Sequence, residues 1–212
     1  MITSWKYLDN REEIRQYVKS FISKNKLKSI DVGASARYWS YPECIFSADS
    51  IKISLENNIH FNLNLEDKNS WKELLNYVTN YGKFNFSICS HTLEDVFNPL
   101  DVIELLQNIS EAGVIIIPSK FEEFSYIYNR NYLGHAHHKQ LFDVIDDEMF
   151  IFPKYSFVEK KQESMEIRNK NKGMELAIFW KDKIPFKIFG DGIPFRSDEE
   201  LIFNYFSELN KS

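Results

Sequence analysis

The stretch Phe84-Asn85-Phe86-Ser87-Ile88-Cys89-Ser90-His91-Thr92-Leu93-Glu94-Asp95-Val96, continued by Asn98-Pro99-Leu100, joins an apolar run of strand length to a polar, acid-bearing turn and then to a helix. Mononucleotide-type folds carry their chemistry at such a junction. Upstream, Ser29-Ile30-Asp31-Val32-Gly33-Ala34-Ser35-Ala36 has the same form, an apolar run closed by an acidic residue, a glycine and small side chains. Two strand ends of this kind predict one α/β sheet with a ligand along its carboxyl edge.

The rest of the chain supports that sheet. Residues 9–24 place Ile14, Tyr17, Val18, Phe21 and Ile22 at helical spacing, predicting an amphipathic helix over one sheet edge. Strand-like runs recur at 30–33, 44–48, 59–65, 84–89 and 114–118, with helical patterns at 68–81 and 99–110. Pro99 suits the first turn of the second of these, where its missing amide proton would have no partner. Strands alternating with helices indicate parallel pairing and right-handed crossovers. Beyond Pro118, residues 121–155 read as a lid and hairpin, with Ile145-Asp146-Asp147-Glu148 as the hairpin turn. Residues 156–212 add a strand at 174–180 and a closing helix at 198–209. The organisation expected is a single domain, with residues 1–26 as an N-terminal helix and 27–120 as the ligand-binding half.

With 212 residues, 43% hydrophobic and 16% aromatic, the chain can bury one sizeable core. A net charge of −5 supplies no basic face for a nucleic-acid backbone. No leader pattern and no apolar run of about 20 residues stands out, so the expectation is a soluble cytoplasmic protein without a membrane partner. Cys44 and Cys89 read as reduced core thiols. A homodimer is open to such a chain.

Gly33 allows a sharp turn and a close ligand approach, or merely ends a strand. The residues after it lack the three-glycine pattern of a dinucleotide site, which argues against a nicotinamide enzyme. Asp49 ends the second strand eighteen residues after Asp31, where a carboxylate can accept hydrogen bonds from both ribose hydroxyls. Capping a turn is the other role open to it.

With these positions set down, residues 27–120 resemble a class I, Rossmann-like S-adenosylmethionine-dependent methyltransferase. Asp31-Val32-Gly33-Ala34-Ser35 is similar to that family's acidic strand end and Gly-x-Gly turn, with Ser35 in place of the second glycine. Asp49 matches the ribose carboxylate, and Asn64 and Leu65 fall where the family contacts adenine. Ser90-His91-Thr92-Leu93-Glu94-Asp95 resembles the family's Ser-His-x-Leu-Glu-His segment, with Asp95 where a second His is common. With Ile117-Pro118-Ser119 and Gly134-His135-Ala136-His137-His138-Lys139, it resembles a subgroup of small methyltransferases. The resemblance implies a mostly parallel sheet with an antiparallel carboxy-terminal part. It also implies S-adenosyl-L-methionine as cofactor, held by Asp31, Gly33, Ser35, Asp49, Asn64, Leu65 and Ser90.

Methyl transfer is an in-line displacement in which positioning supplies much of the rate, and a hydroxyl acceptor must also lose its proton. His91 stands on the fourth strand end, and His135, His137 and His138 stand in the lid; His60 alone belongs to a core strand. The candidate catalytic residues are therefore His137, Asp95, His138 and His91. In an extended strand His137 and His138 would face opposite ways, leaving His137 toward a substrate. Three roles stay open for the lid histidines: base or acceptor contact, metal ligands, and structural hydrogen bonding. His135, Arg130, Lys139 and Glu94 are candidate acceptor contacts. The expected function is methyl transfer to a small polar acceptor, most simply an oxygen of a sugar, a phosphate-bearing metabolite or a nucleotide-activated precursor, with surface-glycan modification as one setting. The alternatives are a methyltransferase-like binding or scaffold domain without turnover, and a metal-dependent enzyme built on the histidines.

Overall fold

The computed structural model describes residues 1–34, 44, 46–50, 58–125, 133–154 and 173–189. Ser35, the lid residues Tyr126, Tyr128, Arg130 and Tyr132, and the expected helix at 198–209 lie outside the described residues.

Five parallel strands form the centre of the fold: β2 (Ser29–Val32), β3 (Phe46–Asp49), β4 (Ile59–Asn62), β5 (Phe86–Ser90) and β6 (Ala112–Pro118). Two further strands, β1 (Ile2–Leu8) and β9 (Glu175–Lys181), complete a seven-stranded sheet in the order β1-β9-β6-β5-β2-β3-β4. Counted along the chain, the parallel strands run 3-2-1-4-5, which is the Rossmann arrangement. Strand β9 is antiparallel to both β6 and β1. The architecture is thus the mostly parallel, Rossmann-like sheet with an antiparallel carboxy-terminal part that the sequence predicts.

Helices cover both faces. In α1 (Arg11–Asn25) the buried positions Ile14, Val18 and Ile22 recur every four residues, Asn10 caps the amide of Glu13, and Lys26 ends the helix in a left-handed conformation. These side chains pack with Phe86 and Ile88 of β5 and Val114 and Ile116 of β6. The helix therefore lies over a sheet face, not along the edge expected for it, because β9 and β1 extend the sheet beyond β6. Strand β1 escapes sequence reading for a physical reason: only Ile2 and Leu8 are buried, so this edge strand shows no alternation. On the opposite face, α2 (Lys72–Tyr81) and α3 (Pro99–Ile109) supply Leu74, Val102, Leu105 and Leu106 to the larger core. Cys44 and Cys89 are both buried and outside any disulfide, as expected.

The expected hairpin is present as β7 (Gln140–Ile145) and β8 (Glu148–Pro153), joined by Asp146 and Asp147 at φ 51° and 58°. Two consecutive positive φ values match the twist of an antiparallel pair, and Asp tolerates them. A strand not anticipated, β10 (Phe186–Ile188), pairs parallel with β8 to make a separate three-stranded sheet. Among the described residues no helix is long and apolar enough to cross a membrane.

Candidate functional site

The strand order reverses between β2 and β5, since the chain runs from β2 toward β3 and β4 on one side and toward β6 on the other. Ligands of open α/β sheets bind outside the carboxyl ends of the strands at such a switch point. Asp31 and Gly33 mark the end of β2, Asp49 the end of β3, and Ser90 and His91 the end of β5. Because β9 runs the other way, its first residue reaches the same edge, where Glu175 pairs with Pro118.

Asp31 and Asp49 are both buried, at 3% and 7% exposure. Asp49 accepts a hydrogen bond from Ser50 Oγ at 3.2 Å. Gly33 sits at φ 80°, and a methyl built on its Cα would stand 2.1 Å from Thr92 Oγ1. Glycine is thus required by a protein neighbour, Thr92, and the space that the sequence reading left for a ligand at this Cα is filled by that side chain. Beyond β4, the side-chain oxygen of Asn64 accepts from the Glu66 amide at 3.0 Å, and the Asn64 carbonyl accepts from Trp71 Nε1 at 3.1 Å. Leu65 packs into the larger core. These two residues build the turn after β4.

At the end of β5 the chain bends sharply. His91 adopts φ 51°, an uncommon conformation for a residue with a side chain, while its amide still donates to Ile116 at 2.8 Å. Its ring lies between two carboxylates, with Nε2 2.8 Å from Glu175 and Nδ1 3.3 Å from Glu94. Burial opposes its charge, but the carboxylates of Glu175 and Glu94 outweigh burial and push the pKa up to about 9. The two carboxylates thus favour the charged imidazole, which suits His91 to tie the ends of β5 and β9 together. A raised folded pKa stabilises the fold fully below the ordinary value of about 6.5 and progressively less as pH rises through about 9. The melting temperature is expected to fall across that window, and Glu175→Gln to flatten the fall. Equal slopes in both proteins would contradict this pairing.

The lid histidines come together. Residues 135–139 form a turn, not the extended strand that would have sent His137 and His138 to opposite faces. Ring centroids of His135, His137 and His138 lie 4.4–5.6 Å apart. The turn is placed by Gly134, at φ 61°, where a methyl would stand 2.6 Å from the Glu123 carbonyl oxygen. It is also tied to the end of β5, because the amides of Lys139 and Gln140 donate to the Glu94 carbonyl at 2.6 and 3.2 Å. Lys139 Nζ donates to the Asp95 carbonyl and lies 4.3 Å from the centroid of the Phe97 ring.

Three carboxylates face these rings. His138 is buried with Nδ1 on Glu123, His135 Nε2 lies 3.2 Å from Glu122, and Asp95 Oδ1 lies 3.9 and 4.0 Å from Nε2 of His137 and His138. Lys154, whose side chain is fully buried, donates to Glu123 Oε2 at 2.6 Å and to the His135 carbonyl at 2.7 Å. His137 is mostly exposed; partial burial and the neighbouring His138 hold its pKa below the usual value. Asp95, the expected catalytic carboxylate, thus stands beside both His137 and His138. Glu94 points instead to His91.

Glu122 and Glu123 come from α4 (Lys120–Glu123), a short helix capped by Ser119 directly after β6. The same helix donates Lys120, which bonds Asp143 at 2.8 Å, and Asp143 also accepts from the Tyr7 hydroxyl. Glu122 and Glu123 were not among the candidate site residues, nor were Lys154 and Glu175. An acidic pair just after a parallel strand was the available signal for the first. A groove of about 290 Å³ opens beside the site, lined by Phe97, Pro99, Leu100, Gln140, Ile151 and Phe189 among others. It lies to the α3 side of the histidines and not over the β2–β5 switch point, so the strand-end carboxylates are the better guide to the primary ligand.

No family model matches the chain. No curated protein matches it either. Among solved structures, it is similar to a cyclopropane-fatty-acyl-phospholipid synthase-like protein from Lactobacillus casei, with 12% identity and a TM-score of 0.34. That match covers 60% of this chain and 57% of the other, so the chain spans less than two thirds of that protein's length. It is also similar to the methyltransferase domain of bacterial CtHen1, with 9% identity and a TM-score of 0.41, over 80% of this chain and 98% of that one. At such identities and TM-scores neither likeness speaks for an activity.

Proposed function

We propose that the protein transfers a methyl group from S-adenosyl-L-methionine to a small polar acceptor, most simply an oxygen of a sugar or a phosphate-bearing or nucleotide-activated metabolite. The observation that carries this reading is the pair of buried carboxylates, Asp31 and Asp49, on adjacent parallel strand ends beside the switch point, with Gly33 turning between them. They suit a ligand rich in ammonium and hydroxyl donors, as the amino-acid and ribose parts of that cofactor are. When bound, the cofactor supplies an electrophilic methyl group.

The chain's own residues then have separate tasks. Asp49 accepts from the ribose hydroxyls, Asp31 and Ser90 border the donor, and the turn carrying His135, His137 and His138 presents proton-accepting groups beside Asp95. The groove lined by Phe97 and Gln140 gives a small acceptor a partly apolar seat next to that turn. The net charge of −5 favours a small acceptor over nucleic acid, and the same reading places the work in the cytoplasm. Thr92 closing on Gly33 is the observation that favours the second reading, a methyltransferase-like binding domain without turnover.

Calorimetric titration with S-adenosylhomocysteine tests the donor site. Micromolar binding is expected, and Asp49→Ala is expected to weaken it at least tenfold, since a buried hydrogen-bonded carboxylate is worth about 1.5–3 kcal/mol. Absence of binding by folded wild-type protein would refute the donor site.

A further inference from the structure

We infer that His135, His137 and His138, together with Asp95, form a binding site for one divalent transition-metal ion of the zinc type. The inference stands apart from the donor site, and with the ion bound these imidazoles serve as ligands in place of the proton-accepting task given to them above.

Three imidazoles each offer a nitrogen, and these ligand atoms all lie within 4.8 Å of one another. Asp95 Oδ1 stands beside two of them, at 3.9 Å from His137 Nε2 and 4.0 Å from His138 Nε2. That oxygen is shielded from solvent and has no hydrogen-bond partner, an expensive state for a carboxylate oxygen that a cation would relieve. Donors held ~2.0–2.1 Å from a tetrahedral ion stand about 3.4 Å apart. Nitrogens up to 4.8 Å apart must therefore approach by up to about 1.4 Å. His137 and Asp95 can make that movement, because their side chains are 64% and 45% exposed.

The surroundings resemble those of a metal centre in a second respect. A ligating imidazole is usually oriented by a carboxylate on its other nitrogen, which fixes the ring and strengthens it as a donor. Glu123 does this to His138 through Nδ1, turning Nε2 toward Asp95, and Glu122 lies against His135. Lys154 and Gly134 in turn fix Glu123. Among the described residues, the three carboxylates of Asp95, Glu122 and Glu123 stand against two ammonium groups, Lys154 on Glu123 and Lys139 on the Asp95 carbonyl, so the cluster favours added positive charge at its imidazoles. Imidazole nitrogens with a single carboxylate oxygen select zinc and its transition-metal neighbours over magnesium or calcium, which prefer oxygen.

The test uses the full chain after chelator treatment, titrated with zinc chloride by calorimetry and with cobalt chloride by visible absorption. One equivalent of zinc per chain is expected, together with the ligand-field absorption of four-coordinate cobalt. His137→Gln and Asp95→Asn, both at partly exposed positions and checked for folding by circular dichroism, are expected to weaken zinc at least tenfold. His60→Gln, in β4, is expected to bind as the wild type does. Failure to bind stoichiometrically, or equal zinc affinity in His137→Gln and wild type, would overturn the site and leave the cluster held by protons and carboxylates alone. S-adenosylhomocysteine titrated into the same samples separates the two readings: its failure to bind while zinc binds would count against methyl transfer only.

Discussion

Lys154→Met is expected to destabilise the fold by about 3–5 kcal/mol, the cost of stripping one partner from a buried ion pair. The Lys154 side chain is fully buried and that of Glu123 nearly so, and their atoms meet at 2.6 Å. Burial opposes ionisation of Glu123, yet the hydrogen bond from His138 and the charge of Lys154 hold its pKa below the usual carboxylate range. Methionine fills the stem's volume but leaves that carboxylate, and the His135 carbonyl, short of a donor. Urea unfolding at pH 7 reads the loss directly. The double variant Glu123→Gln/Lys154→Met should recover much of it, because coupled neighbours do not add. A single-variant loss under about 1 kcal/mol would mean that water reaches the pair.

Gly33→Ala is the second large effect, expected at about 2–5 kcal/mol. A left-handed backbone costs a residue with a side chain about 1–2 kcal/mol. Overpacking adds about 1–3 kcal/mol or more, and here the new methyl would meet Thr92 at 2.1 Å from Oγ1 and 2.7 Å from Cγ2. Adding Thr92→Ala removes the Oγ1 and Cγ2 contacts but leaves the Thr92 Cβ at 2.9 Å and the backbone cost, so partial recovery is expected. Full recovery would assign the whole effect to packing, and none would assign it to the turn.

The parallel half of the sheet was legible because its strands and helices obey local periodicity. The strands around Ile30 and Ile88 are buried at every position and carry Ile30, Val32, Phe86 and Ile88, and α1 repeats Ile14, Val18 and Ile22 at one helical face. The hairpin was legible from Asp146 and Asp147. Strand β1 was not, since its middle residues face solvent, and β10 is too short to show a pattern. The site divides in the same way. Asp31, Asp49 and Asp95 could be placed from strand ends, whereas Glu175 reaches the site only because β9 runs antiparallel. Lys154 arrives through the hairpin, 31 residues from Glu123. The histidines were found as a motif, but their convergence depends on a turn set by Gly134 against Glu123, a contact between segments that no local rule encodes.

Methyl transfer to a small polar acceptor at the carboxyl edge of the sheet is the activity proposed above. It is tested most directly by incubating the protein with S-adenosylmethionine bearing a labelled methyl group and a panel of sugars, sugar phosphates and nucleotide sugars. Label is expected in at least one small-molecule product with the wild type and is expected to be absent with Asp49→Ala. Binding of S-adenosylhomocysteine with no labelled product from any member of the panel would contradict the claim and favour a binding domain without turnover.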